Sequence, residues 1–99
     1  MKKFTLGDYE YQAKDCIEGI LVDPVLPPNF WTMPIRDRSL DELEKWTHLP
    51  FIIKDGDGMH KVYILDGGCH DRATLRYASN ELSEVKLFID DLQQWLTRT

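Results

Sequence analysis

Cysteine is scarce in this sequence, and long apolar runs are missing. The two thiols, Cys16 and Cys69, lie far apart and do not form a CxxC, so they imply no disulfide framework. One disulfide between them is possible but not implied, since two cysteines far apart in a non-secreted chain are more often free thiols. No run of about 18 apolar residues occurs, so no transmembrane helix is expected. Met1-Lys2-Lys3 imitates the start of a signal peptide, but Asp8, Glu10 and Asp15 interrupt the stretch where an apolar region would have to follow. The expected location is the cytoplasm.

Positive charge is in the minority. The chain has 12 Lys and Arg against 17 Asp and Glu, a formal net charge of −5. A general nucleic-acid binder carries a basic field that neutralises phosphates, and the arginines here are scattered. An anionic membrane surface is equally unattractive. Assembled catalytic and metal signatures are absent too. There is no HExxH, no zinc-finger spacing, no GxGxxG and no GxxxxGK[ST]. Asp55-Gly56-Asp57-Gly58 resembles the start of a calcium loop. Met59 and His60 then fall at its fifth and sixth positions, where a ligand and a glycine belong. The segment reads as a hairpin turn, and no metal or cofactor is expected.

What is present suits one domain over residues 1–99. The apolar fraction of 42%, with three Trp, four Tyr and four Phe, is enough for one core. Residues 9–21 carry two patterns at once. Tyr9, Ala13, Cys16, Ile17 and Ile20 repeat at helical spacing with Asp8 as a possible cap, while Tyr9, Tyr11 and Ala13 alternate as in a strand. The helix is the favoured reading. Residues 24–35 are broken by Pro24, Pro27, Pro28 and Pro34 and form a loop whose Phe30, Trp31 and Met33 lie across the core or present a docking surface.

Ser39-Leu40-Asp41-Glu42 has the form of a capping box and predicts a short helix over Leu40–Thr47, with Leu40, Leu43 and Trp46 or Thr47 inward. Phe51–Lys54 and His60–Leu65 read as hairpin partners, and Ala73–Tyr77 as a further short strand. The C-terminal helix begins near Asn80 or Glu81 and runs to about Leu96. Its stripe is Leu82, Val85, Phe88, Ile89, Leu92, Trp95 and Leu96, with Leu87 outside it. These elements predict an α+β fold: a small antiparallel sheet of two or three strands packed against the C-terminal helix, with one or two additional short helices.

Reactive side chains concentrate in Asp66-Gly67-Gly68-Cys69-His70-Asp71-Arg72. Cys69 as nucleophile, His70 as base and Asp71 as its orienting carboxylate are weak catalytic candidates, because sequence adjacency does not make side chains converge. Arg72 is a candidate anion or partner contact. Phe30, Trp31 and Leu87 are the other candidate binding residues. The leading expectation is a non-catalytic protein-interaction or accessory domain, with a protein partner or self-association as a homodimer. The alternative is a small ligand-binding protein or enzyme with a site around Cys69–Arg72.

Overall fold

The structure, a computed structural model, describes residues 1–65 and 72–97. Its centre is a single sheet of six strands: β1 (Lys2–Leu6), β2 (Tyr9–Ile17), β3 (Ile20–Pro24), β4 (Phe51–Lys54), β5 (His60–Leu65) and β6 (Ala73–Ser79). Their order in space is their order in sequence. Neighbours run antiparallel except β3 and β4, which run parallel with Val22 opposite Ile52. Two helices, α1 (Leu40–Trp46) and α2 (Leu82–Thr97), complete the fold. The α+β class holds, but the expected sheet of two or three antiparallel strands is corrected to six strands in a mixed sheet.

The difference arises in the first 24 residues. The helix expected over residues 9–21 is instead β2, a turn and the start of β3. Tight turns on either side decide between the two periodicities. Leu6 pairs with Tyr9 across Gly7-Asp8, where Gly7 alone takes a positive φ of 61°, as a II′ turn requires. Ile17 pairs with Ile20 across Glu18-Gly19, where both residues take positive φ (52° and 84°), the I′ pattern. Each turn matches the twist of the strands it joins and commits the chain to a meander.

Alternation along the strands assigns the two faces. Tyr11, Ala13, Leu21, Phe51 and Leu65 point to one side and pack with Phe30 of the proline loop and Trp46 of α1. Ile20, Val22, Ile52 and Val62 point to the other and pack with Val85 and Ile89 of α2. The sheet is thus the middle of three layers, as apolar residues on both of its faces require. Pro24–Leu49 crosses one face before β4 starts. It includes a 3₁₀ turn at Ile35–Asp37.

The β4–β5 hairpin keeps its expected limits, joined by Asp55–Met59 with Lys54 opposite His60. Asp57 closes the turn by accepting the Met59 amide, and Lys61 forms an ion pair with Asp55. Between β5 and β6 the register shifts at Val62/Tyr63. β6 extends to Ser79, two residues beyond its expected end.

Half of the capping box forms. The Ser39 hydroxyl accepts the Glu42 amide at 3.2 Å, whereas the Glu42 carboxylate takes Arg38 at 2.9 Å rather than turning back to Ser39. Leu40, expected inward, is exposed, and Leu43 and Trp46 make the packed side of α1. In α2, Val85, Ile89 and Leu92 are buried, but Trp95 is 57% exposed. It lies roughly 90° of helix rotation from the centre of that stripe. No helix among the described residues is long and apolar enough to cross a membrane.

Candidate functional site

Residues 29–33 follow directly from the proline run and from Asn29, whose φ of 60° turns the chain. The amides of Thr32 and Met33 both bond back to the Asn29 carbonyl, at 3.2 and 2.9 Å, which closes a tight local turn. This turn sends two adjacent aromatic rings in different directions. Phe30 enters the core beside Trp46 and Phe51, with ring centroids 5.6 and 5.9 Å away. Its burial removes it from any docking role. Trp31 lies on Tyr63 edge to face at 4.7 Å and beside Phe51 at 6.2 Å, yet remains 43% exposed.

Two arginines hold this turn by its backbone. Arg38 is buried, and its Nη2 donates to the carbonyls of Phe30 at 2.5 Å and Met33 at 2.7 Å. Its Nη1 pairs with Glu42, and its guanidinium lies 4.8 Å from the Phe30 ring centroid. A planar fork of donors suits several acceptors at once, which a lysine ammonium cannot reproduce. Among the described residues, the Arg38 Nε has no hydrogen-bond partner. Arg72, exposed at the start of β6, donates from Nε to the Thr32 carbonyl at 2.9 Å. The aromatic loop and the segment just before β6, far apart in sequence, therefore meet.

β6 continues the surface. Leu75 stands opposite Tyr63 in the register, so both side chains share the face on which Trp31 lies. Leu75 is 50% exposed, because β6 is the last strand of the sheet. Trp31, Tyr63 and Leu75 thus form an apolar surface at the β6 edge, with Arg72 tethering its rim. No family model, curated protein or solved structure matches the chain. The reading of this surface rests on its own residues.

The candidates from sequence separate clearly. Arg72 and Trp31 come together through the Thr32 carbonyl. Leu87 lies elsewhere, on the outer side of α2, and is 67% exposed. Cys69, His70 and Asp71 lie outside the described residues. Cys16 is a free, half-buried thiol. Among the described residues, no three His, Cys, Asp or Glu side chains gather into a group able to hold a metal ion. Among the described residues, three groups have shifted protonation. Tyr9 is raised by its hydrogen bond to Glu44, Tyr11 by burial, and Lys61 by its bond to Asp55.

Sequence reasoning missed Arg38, Tyr63 and Leu75. The alternation of β5 and β6 carried a signal for the last two, since Tyr63 and Leu65 share a face with their partners Leu75 and Ala73. No residue type marks Arg38 as buried, because its acceptors eight and five residues upstream are backbone carbonyls.

Proposed function

We propose that this chain is a non-catalytic protein-interaction domain and that Trp31 anchors its partner, with Tyr63 and Leu75 completing the contact. The observation that carries the reading is an exposed tryptophan fixed in place. Its loop is held by Arg38 and Arg72 at three backbone positions, Phe30, Thr32 and Met33. Large aromatic side chains that need no ordering on association are typical of the few residues that dominate binding energy. The partner is a protein chain, a second copy of this one included.

The test uses the wild type and the variants Trp31→Ala and Leu75→Ser as bait in an extract of the source cells, with every retained protein quantified. Sedimentation of the pure chain across a range of concentrations runs alongside. The reading expects either a retained protein or a self-associated species that both substitutions remove while thermal unfolding stays cooperative. Retention and sedimentation indifferent to both substitutions would refute it.

A further inference from the structure

We infer that the outer ridge of α2, formed by Leu87, Asp91 and Trp95, is a second docking surface whose occupant is a basic amphipathic helix of a partner protein. This surface lies on the opposite side of the sheet from Trp31, since α2 packs on the face of Ile20, Val22, Ile52 and Val62. It goes beyond the reading above and stands or falls separately from it.

Spacing is the first argument. Leu87, Asp91 and Trp95 follow one another at intervals of four residues, the rows by which one helix packs into the groove of another. Leu87 and Trp95 are about 12 Å apart along the axis at the helical rise of 1.5 Å per residue. That places two apolar anchors two turns apart, the arrangement an apposed helix engages. Neither side chain is used by the sheet. Val85, Ile89 and Leu92 fill the inner side, while Leu87 and Trp95 stay 67% and 57% exposed.

Charge selects the occupant. Asp90 and Asp91 are exposed between the two anchors, and neither forms an ion pair among the described residues. The chain as a whole carries −5. A second copy would bring the same carboxylates against this ridge, and an anionic lipid surface or a nucleic acid would also be repelled. A helix with Lys or Arg interleaved among apolar residues satisfies both the anchors and the carboxylates.

The probe is a synthetic helix of about 18 residues, long enough for five turns, with leucines on one face and lysines beside them. Its control has the same composition scrambled so that the leucines share no face. Both are titrated into the isotopically labelled full chain and followed by amide and indole NMR shifts. The amphipathic peptide is expected to bind about tenfold more tightly than the scrambled one, with shifts concentrated on residues 83–95 and the Trp95 indole.

Leu87→Ala and Trp95→Ala should each weaken binding by about fivefold or more. The double variant Asp90→Asn/Asp91→Asn should weaken it and flatten its salt dependence, and Trp31→Ala should leave it unchanged. These positions are exposed, so the variants keep the wild-type unfolding midpoint. Three results would overturn the assignment: equal binding of the scrambled peptide, which is charge alone; shifts centred on Trp31; or a dimer of the free chain that Leu87→Ala dissolves, which makes a second copy the occupant.

Discussion

The Nε of Arg72 donates a hydrogen bond to the carbonyl of Thr32 at 2.9 Å, a contact between residues forty positions apart. The acceptor is backbone, so the identity of the Thr32 side chain matters little to it and that of Arg72 matters greatly. The bond couples the start of β6 to the turn that displays Trp31.

Replacing Arg72 by alanine should therefore act locally more than globally. The bond is exposed, and its loss should cost about 0.5–1 kcal/mol in urea unfolding. Hydrogen exchange at the amides of Thr32 and Met33, which close the turn on Asn29, should accelerate well beyond that global change. Exchange at these amides that merely follows global stability would show that Arg72 does not hold the turn.

Arg38 should behave differently because it is buried. Arg38→Ala leaves the Phe30 and Met33 carbonyls and the Glu42 carboxylate without their donor, which should cost about 3 kcal/mol. Arg38→Lys should recover less than half of that, since an ammonium cannot serve three acceptors in the plane of a guanidinium. Equilibrium denaturation measures both. A cost for the alanine variant of about 1 kcal/mol or less, the scale of an exposed pair, would mean that the guanidinium is dispensable.

Alkaline pH should weaken the fold. Tyr9 is raised above 10.0 chiefly by donating to the Glu44 carboxylate at 2.8 Å, Tyr11 above 10.0 by burial, and Lys61 above 10.5 by its pairing with Asp55. In each case the folded state holds its proton more tightly than the unfolded state. Their contribution is complete below the unfolded value of each group and disappears as pH rises through the folded one. Thermal midpoints should stay level from neutral pH to about 9 and fall above 10. Glu44→Gln should shrink the Tyr9 share of that fall, because it removes the charge that resists phenolate formation. A midpoint flat to pH 11 would contradict the expected sign.

The turn at Glu18-Gly19 offers a stabilising substitution. Glu18 holds a positive φ of 52°, a conformation that asparagine adopts more readily at the first central position of an I′ turn. Glu18→Asn should raise stability by about 0.5 kcal/mol. The Lys86–Glu18 ion pair it removes spans 2.8 Å with Glu18 70% exposed, and such pairs are worth about 0–1 kcal/mol. Differential scanning calorimetry of the two proteins separates backbone from charge: a lower midpoint for the variant would mean that the ion pair outweighs the relief of the turn.

Much of the C-terminal half was legible residue by residue. Phe51–Lys54 and His60–Leu65 are bounded by turn residues, and the Leu82–Leu92 stripe has one period only. The N-terminal half was not, because Tyr9, Ala13, Ile17 and Ile20 satisfy a helical spacing while Tyr9, Tyr11 and Ala13 satisfy a strand. Gly7-Asp8 and Glu18-Gly19, each a two-residue break between β-prone runs, held the deciding information. The surface at the β6 edge was legible only in part. Trp31 stood out by type, but its exposure depends on Phe30 taking the core position beside it. The anchoring by Arg38 uses nearby backbone carbonyls that no side-chain pattern reports, and that by Arg72 depends on a segment that only the tertiary fold brings near.

The parallel pairing of β3 with β4 also has a temporal side. The two strands that meet at Val22 and Ile52 are separated by the whole of Val25–Pro50, so during synthesis the N-terminal meander leaves the ribosome with one long edge open and its apolar Ile20–Val22 uncovered. Nothing local closes that edge. It waits for Phe51–Lys54, and the far side of Ile20 and Val22 waits longer still, for Val85 and Ile89 of α2. A nascent chain therefore stays half a sheet while Val25–Pro50 is made, and its exposure to chaperones or to aggregation is set by how soon the last helix arrives.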